Sequence, residues 1–217
     1  MDLYEALYTT RAMRRVHPEP VPEEVVRIML DAAVRAPTGG NLQAWRFLTV
    51  TDPEVKEELG PLYRRAWETL QTSVYAGVRE RAEAAGDDQT LRILRSSQWL
   101  ADHFEEVPLW VLAFDRAEPT GSSIFPAVWS MMLAARGQGV GTALTTILGL
   151  FESDAAFEVL GVPADKGWRL AAAVSAGYPK GRWDVARRRP AHRVTYAERW
   201  GEQVSWRVDE PLWSAGS

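Results

Sequence analysis

The feature that most limits the folds open to this chain is the run VPLWVLAF at residues 107–114, which contains no charged residue. Its length is that of a strand, because strands usually run to roughly four to eight residues and helices to ten or more. A strand without polar alternation must be covered on both faces, as in the centre of a sheet that packs between helices. We therefore expect residues 107–114 to form a central strand.

Helical patterns surround this strand, and shorter strands lie between them. Helices are predicted at residues 3–8, from Pro22 to before Pro37, from Asp52 to about Leu100 with a break at 84–88, at 124–136 with Ser122 or Ser123 as its cap, and at 152–160. Strands are predicted at 46–52 and 168–179, with a further one after GQGVGTALTT. Helix 124–136 is apolar nearly all round, so we expect it to be buried on all sides, either in a domain centre or between subunits. This pattern predicts an α+β fold, one domain over residues 1–217 around a small mixed sheet.

Composition excludes several classes of protein. The chain has 217 residues, 46% of them apolar, and carries a net charge of -4, which argues against general nucleic-acid binding. It has no cysteine, and its three histidines do not have the spacing of a metal site. We interpret Glu105 and Glu106, beside His103, as a solvated helix end. No signal peptide or membrane span is apparent, so we expect a cytoplasmic protein that does not contact a membrane.

The segment APTGGNLQAWRF, residues 36–47, carries more polar and small residues than a plain turn between a helix and a strand needs. Two arginine clusters, one at residues 11–15 and one at 187–189, lie in loops, where guanidinium groups can converge on a phosphate; ordinary surface charge is the alternative. Gly137, Gly139 and Gly141 follow a helix, so we interpret them as a helix end and a tight turn and not as a dinucleotide-binding loop.

Together these segments resemble the FMN-dependent nitroreductase family. The resemblance rests on TTRAMRRVHPEPVPEEVVRIMLDAAVRAPTGGNLQAWRFLTVTDP near the N-terminus, then GQGVGTALTT, then AGYPKGRWDVARRRP. It covers most of the chain, and residues 70–105 are its weakest part. The family implies a nitroreductase-like three-layer fold, with a small mixed or antiparallel sheet flanked by helices, in an intertwined homodimer with FMN sites at the subunit interface.

The same resemblance implies the residues that bind FMN. Arg11, Met13 and Arg15 match the loop that grips the phosphate and ribityl chain, and Arg188, with Arg187 as the alternative, closes on the phosphate. Pro37, Thr38, Gly39 and Asn41 match a loop that lies on the flavin across the dimer, and Gln43 matches a position that contacts polar atoms of the flavin. Leu144, Thr145 and Thr146 match the strand end beside the isoalloxazine. Three departures are Met13 in place of a phosphate-binding Ser, Ala44 in place of a common Pro, and Ala186 in place of a second cation.

The family implies an FMN-dependent oxidoreductase in which NADH or NADPH reduces the flavin and a nitro compound, quinone or related small acceptor reoxidises it. The flavin would carry the chemistry, so no catalytic side chain is required. The alternatives are another flavin reaction on the same scaffold, such as reductive dehalogenation, flavin destruction or azoline dehydrogenation, and a flavin-binding protein without turnover. We expect residues 70–105 to form the lid over the flavin that distinguishes these reactions.

Overall fold

The computed structural model describes residues 1–116, 118 and 120–213. The chain divides into two compact units. One, the terminal unit, comprises Met1–Arg11 and Arg182–Ser217, and the other, the sheet unit, comprises Ala12–Gly181. The prediction of one domain over residues 1–217 stays a prediction. Some residues of the predicted segments lie outside the described residues: 117 and 119, before the helix at 124, and 214–217, at the end of the chain.

The sheet unit is organised by a four-stranded antiparallel sheet in the order β1-β2-β4-β3. The strands are β1 (Trp45–Val50), β2 (Leu109–Asp115), β3 (Gly141–Thr145) and β4 (Arg169–Gly177). Strand β2 is buried along its whole length and pairs with β1 on one side and β4 on the other. The run VPLWVLAF therefore forms a central strand, as its lack of polar alternation predicts.

Helices cover both faces of this sheet. One face packs against α2 (Glu23–Ala33) and α6 (Ile124–Gly137), and the other packs against α3 (Pro53–Thr72), α5 (Asp88–Asp102), α7 (Ile147–Phe151) and α8 (Ser153–Leu160). Side chains of β2 alternate between the two resulting cores. Leu109 and Val111 enter the core beside α2 and α6, and Trp110 and Leu112 enter the core beside α3, α5, α7 and α8. This arrangement confirms the predicted three-layer α+β fold.

The break predicted at residues 84–88 separates α5 from a shorter helix, α4 (Val78–Ala85). Gly86 ends α4 in the left-handed conformation, with φ +64°, which glycine adopts without steric cost. Gly77, with φ +68°, similarly separates α3 from α4. The predicted long helical stretch is therefore three helices, and two glycines mark its turns.

Two details of α6 concern its predicted cap and its predicted burial. Ser123 is the N-cap residue, as predicted, but its side chain makes no capping bond, and its hydroxyl donates to Glu118 Oε1 at 2.7 Å. Within one chain the helix is not buried on all sides, since the side chain of Trp129 is 41% exposed, and burial between subunits stays a prediction. An exposed tryptophan on an otherwise apolar helix leaves a face that a partner can cover.

The terminal unit begins with α1 (Leu3–Thr9), which Asp2 caps through a 2.7 Å bond from the Glu5 N–H to Asp2 Oδ1. The other end of the chain joins this helix inside the unit, where the Ala186 N–H donates to the Tyr8 carbonyl oxygen at 3.2 Å. The rings of Tyr8 and Trp213 also meet, with centroids 6.0 Å apart. The first and last parts of the sequence therefore form one local structure.

Candidate functional site

An extended segment, residues 12–17, crosses the ends of β3 and β4. The Met13 N–H donates to the Thr142 carbonyl at 2.8 Å, the His17 N–H donates to the Tyr178 carbonyl at 2.8 Å, and the Lys180 N–H donates to the Arg15 carbonyl at 3.0 Å. These backbone bonds fix which way each side chain of the segment points.

Two glycines make this close crossing feasible. Gly141 and Gly177 are paired in the sheet. A Cβ at residue 141 would lie 2.7 Å from Met13 Cβ, and one at residue 177 would lie 2.9 Å from Val16 Cβ. Because real Cβ atoms do not approach so closely, the segment could not cross here over larger residues. Gly141 thus has a packing role beyond the turn that its sequence context predicts.

The side chains of this segment alternate in direction. Met13 is buried in the sheet unit against Gly141, Arg14 is half-buried, and Arg15 is exposed with its guanidinium 5.9 Å from the centre of the Trp99 ring. The Met13 N–H already donates to Thr142, so neither its side chain nor its N–H is free for a phosphate. The contact expected of Met13 stays a prediction, which these observations do not favour.

Arg14 lines a cavity of about 260 Å³ that lies within the sheet unit. Its walls come from α3, α5, α7, the turn after α3 and the end of β3: Arg14, Tyr63, Trp67, Leu70, Tyr75, Ile93, Ser97, Leu100, Leu144, Thr145, Thr146, Ile147 and Leu150. The predicted flavin-contacting residues Leu144, Thr145 and Thr146 therefore line a cavity together with the predicted lid. The alternation of the N-terminal segment adds Arg14, which inspection of the sequence missed.

The guanidinium of Arg14 is poorly compensated in this cavity. It makes no hydrogen bond or ion pair to any residue in the described part of the chain. Burial lowers its pKa below the ordinary value, and the nearby phenols of Tyr63 and Tyr75 offset part of that effect. A partly buried cation without an anionic partner is costly, so a ligand with an electron-rich edge would be stabilised beside Arg14.

Tyr63 connects this cation to the end of β3. Burial raises the pKa of its phenol, while a hydrogen bond with the Thr145 side chain and the charge of Arg14 act in the opposite direction. The ring of Tyr63 packs in a tilted orientation against the stacked rings of Phe104 and Trp110, with centroids 5.2 and 5.6 Å away. The hydroxyl groups of Tyr63 and Thr145 are therefore fixed in position at the cavity wall.

The loop before β1 is folded on itself. The Gln43 N–H donates to Thr38 Oγ1 at 3.3 Å, and the Gln43 side chain donates to Asn41 Oδ1 at 3.0 Å. Asn41 and Gln43 have positive φ values of +54° and +47°, and Gly40 has +55°. Positive φ at two non-glycine residues is strained, and such strain is often found at functional sites. Pro37, Gly39, Asn41 and Gln43 are exposed and Thr38 is half-buried, so most of the loop is accessible from solvent.

This loop and the cavity lie at opposite edges of the sheet. Strand β1 is at one edge and β3 at the other, and the register aligns Thr145 with Leu48, three residues beyond Trp45. Strand spacing and rise then put Thr145 and Trp45 about 17 Å apart. A single chain does not bring the loop residues Pro37 to Gln43 to the Leu144–Thr146 strand end.

Glu118 holds the loop from the adjoining segment. Its carboxylate accepts bonds from Ser123 Oγ at 2.7 Å, from the Ser123 N–H at 2.9 Å and from Ser122 Oγ at 2.9 Å. The Gly39 N–H points to Ser123 Oγ at 3.4 Å and also donates to Glu118. Arg169, which is bonded to Asp115, donates to the Glu118 carbonyl at 3.3 Å. Glu118 therefore ties Gly39 to the start of α6.

We expect the substitution Glu118→Gln to loosen the loop in a pH-dependent manner. Hydrogen bonds from Ser123 and Ser122 hold the pKa of Glu118 below its ordinary value, so its contribution is present above the unfolded pKa and is lost as pH falls through the folded pKa. Gln presents an NH₂ group where the carboxylate only accepts. Amide hydrogen exchange at Gly39 should therefore be faster in the variant at pH 7, and the difference should vanish at low pH.

The matched control is Glu58→Gln, on the exposed side of α3. It should leave exchange at Gly39 unchanged. Equal protection of Gly39 in the wild type and in Glu118→Gln at pH 7 would show that the carboxylate does not hold the loop.

The terminal unit contains the other predicted ligands. Arg11, Arg187 and Arg188 are exposed, and none forms an ion pair with the described residues. The bond between Ala186 and Tyr8 joins the segments that carry these arginines. Arg188 turns back on the chain and donates to the Arg187 carbonyl at 2.9 Å. The exposed guanidinium groups are thus accessible to an anion, and their assignment to a phosphate, with surface charge as the alternative, stays a prediction.

Other features of the chain have structural explanations. Glu105 is not a freely solvated helix end, because Arg64 donates two bonds to its carboxylate, at 2.7 and 3.1 Å. His103 stacks on Trp99 with ring centroids 4.2 Å apart. Within the described ranges, histidine and acidic side chains form no cluster suited to a metal ion, and none of the helices is long and apolar enough to cross a membrane.

The sequence model of the nitroreductase family matches residues 7–178, which is most of the chain. The chain belongs to the nitroreductase family. The match spans the N-terminal segment, the loop before β1 and the end of β3, and it confirms the resemblance on which the site prediction rests.

Known relatives of this family member differ in the reaction they perform. The iodotyrosine deiodinase of Thermotoga neapolitana is 28% identical over 179 residues, covering 82% of this chain and 88% of the relative. A crystal structure of oxidised iodotyrosine deiodinase with FMN and 3-iodo-L-tyrosine superposes with a TM-score of 0.69 at 25% identity, covering 87% and 95% of the two chains. A nitroreductase with bound FMN from Desulfitobacterium hafniense gives a TM-score of 0.67 at 19% identity, covering 91% and 100%.

Proposed function

We propose that this chain is an FMN-dependent oxidoreductase that uses NADH or NADPH to reduce a small organic acceptor. The observation that carries the proposal is the uncompensated guanidinium of Arg14 in a cavity at the end of β3. A flavin fits this cavity chemically, because its pyrimidine edge presents carbonyl oxygens and becomes anionic on reduction, which a fixed cation stabilises. Membership of the nitroreductase family supports the same cofactor.

Different parts of the chain would hold different parts of FMN. Arg14 would donate to the pyrimidine edge, and the backbone at Thr145 and Thr146 would face the reactive centre of the ring. Arg11 and Arg188, with Arg187 as the alternative, remain the proposed phosphate ligands, and Arg15 is a further candidate. When bound, FMN supplies the two-electron chemistry, taking a hydride from NAD(P)H and passing it to the acceptor in a ping-pong cycle.

We further propose that the chain acts as a homodimer. The loop residues Pro37, Thr38, Gly39, Asn41 and Gln43 form a largely accessible loop at the sheet edge opposite the cavity, so they are available to the flavin of a second copy. Exposed apolar side chains also favour association: Leu42 is 65% exposed, Trp129 is 41% exposed, and Trp200, in the terminal unit, is 92% exposed. Gln43 and Asn41 would then supply hydrogen bonds to the polar edge of the neighbour's ring.

Reductive dehalogenation is the second candidate reaction. The likeness to a deiodinase over 82% of the chain favours it. Spectroscopy tests the cofactor, and kinetics separates the candidate reactions, because only dehalogenation releases halide from a halogenated phenol. The purified protein should be yellow, release FMN on denaturation and oxidise NADH or NADPH with nitro compounds or quinones. Bound FMN without turnover of any acceptor would favour a non-catalytic flavoprotein. A colourless protein that takes up no added FMN would contradict FMN as the cofactor and, with it, both candidate reactions.

The substitution Arg11→Ala should weaken FMN retention without unfolding the protein. One charge-assisted bond to phosphate contributes about 1.5–3 kcal/mol, which corresponds to a rise of roughly 10- to 150-fold in Kd. Fluorescence titration of the apoprotein with FMN measures this effect. Arg27→Ala, which removes an exposed arginine from α2, is the control and should retain FMN normally. An unchanged Kd in Arg11→Ala would identify Arg11 as surface charge.

A further inference from the structure

A buried histidine in the terminal unit has a ring nitrogen without a hydrogen-bond partner. His192 lies in a single 3₁₀ turn (Ala191–Arg193) and is only 8% exposed. Its Nδ1 atom accepts a hydrogen bond from the Val208 N–H at 3.2 Å. Its Nε2 atom is buried and makes no hydrogen bond to any of the described residues. The imidazole is therefore satisfied on one side only.

The bond from Val208 determines the protonation state that this imidazole must have. An N–H donor requires a lone pair on Nδ1, so the ring hydrogen of the neutral form must lie on Nε2. Protonation of the ring would place a second hydrogen on Nδ1, opposite the Val208 N–H, and two donors would then face each other. The contact between His192 and Val208 is thus possible only while the imidazole is neutral.

This contact holds a C-terminal segment that has no helix or strand. We refer to residues 206–213 as the strap. Within the described part of the chain, the bond from Val208 to His192 is the one hydrogen bond that connects the strap to the residues before it. The rings of Trp213 and Tyr8, with centroids 6.0 Å apart, form a second contact. Most of the strap is exposed, so loss of the bond to His192 removes a large part of what holds it.

The charged groups around His192 do not compensate a positive imidazole. Arg207 donates to the Asp209 carboxylate at 3.1 Å, and this bond, together with the charges of the surrounding cations, holds the pKa of Asp209 below its ordinary value. Asp209 also interacts electrostatically with His192 and Arg193. Because two arginines already share this one carboxylate, a further positive charge on the buried ring has little to balance it. Burial and the missing partner of Nε2 both favour transfer of the protonated ring into water.

We propose that His192 is a pH-sensitive latch for the strap: the neutral imidazole holds the strap closed, and protonation releases it. The closed state binds one proton fewer than the open state, so closure is favoured while the imidazole is neutral and is lost as pH falls. An imidazole changes its charge in the range of roughly pH 5 to 8. Release separates the rings of Trp213 and Tyr8. None of the residues that form the latch belongs to the proposed flavin site, so its test does not depend on that function.

Amide hydrogen exchange at Val208 in the full-length protein tests the latch. The protection factor, which compares the exchange rate with that of an unstructured amide at the same pH, should fall at least tenfold between pH 7 and pH 5. The Ala186 amide, which donates to the Tyr8 carbonyl in the same unit, should keep its protection. Equal loss at both amides would show that the whole unit unfolds, and constant protection of Val208 would show that the strap does not open. Either result overturns the latch.

The substitution His192→Asn separates the hydrogen bond from its titration. The amide oxygen of Asn can take the place of Nδ1 as acceptor for the Val208 N–H, but the amide does not titrate in this range. Protection of Val208 should therefore be the same at pH 7 and pH 5 in this variant. His17→Asn, which replaces an exposed histidine, is the control and should keep the pH response of the wild type. A tenfold fall in His192→Asn would assign the response to another group and overturn the role of His192.

The state of the ring itself gives a test that needs no substitution at position 192. Nitrogen-15 chemical shifts of the imidazole at pH 7 should identify Nε2 as the protonated nitrogen and Nδ1 as the acceptor. When the same signals are followed to pH 5, protonation of His192 should accompany the loss of protection at Val208. A neutral ring protonated on Nδ1, or protonation that leaves Val208 protected, would overturn the latch even if His192→Asn does not close the strap.

Discussion

Arg14→Met should lower FMN affinity roughly 10- to 150-fold and at the same time leave the apoprotein as stable as the wild type or more stable. The first effect follows from loss of one charge-assisted bond of about 1.5–3 kcal/mol to the flavin edge. The second follows because the guanidinium is half-buried without an anionic partner among the described residues, so that its removal relieves a desolvation cost. Methionine keeps most of the aliphatic volume. The substitution is therefore expected to lower the affinity for FMN without lowering the stability of the apoprotein.

Two measurements check this prediction: fluorescence titration with FMN, and thermal unfolding of the apoprotein. Arg95→Met is the control, because Arg95 is exposed on α5 and does not line the cavity. A lower melting temperature of apo Arg14→Met with unchanged FMN affinity would assign Arg14 a structural role. Arg15→Met gives a further comparison, since the exposed Arg15 should affect FMN retention less if Arg14 is the cation that faces the ring.

Gly149→Ala is expected to have the largest effect on folding. A Cβ at residue 149, in α7, would overlap the carbonyl oxygen of Leu170 in β4, and backbone atoms cannot move aside as a flexible side chain can. Separation of α7 from β4 should cost about 3 kcal/mol. For a chain of this length that corresponds to a fall in melting temperature of roughly 6–12 °C.

The control for this prediction is Gly137→Ala, at the end of α6, where a Cβ would meet no atom within 4 Å. Alanine should there be neutral or stabilise the protein by up to about 1 kcal/mol, because it restricts the unfolded chain. Thermal unfolding followed by circular dichroism compares the two variants. If Gly149→Ala melts with the wild type, α7 does not pack against β4 as closely as described.

Sequence patterns predicted the parts of the fold that depend on local burial. VPLWVLAF required cover on both faces, and it forms the buried strand β2. The apolar period of residues 25–33 corresponds to α2, and Gly86 and Asp87 form the turn between α4 and α5. These features can be predicted from the sequence because each depends on only a few neighbouring residues.

The local sequence does not predict the direction of the side chains in the N-terminal segment. Residues 11–15 contain three arginines, and the sequence does not say which of them faces a ligand. Pairing of the Met13 N–H with Thr142, about 130 residues away, decides that Met13 is buried and Arg14 lines the cavity. The bonds of Gly39 to Glu118 and Ser123 likewise join residues that are distant in the sequence. Contacts of this kind follow from the tertiary fold and not from local pattern.

The crossing of residues 12–17 over Gly141 and Gly177 also determines at which stage of its synthesis the protein can first bind its ligand. The segment that carries Arg14 is made first, but its hydrogen-bonding partners are Thr142 and Tyr178. Arg14 therefore has no fixed direction until β3 and β4 have left the ribosome, and closing so long a loop is slow compared with forming local helices. We expect nascent chains that end before residue 178 to be unable to retain a flavin, however complete their N-terminal motif.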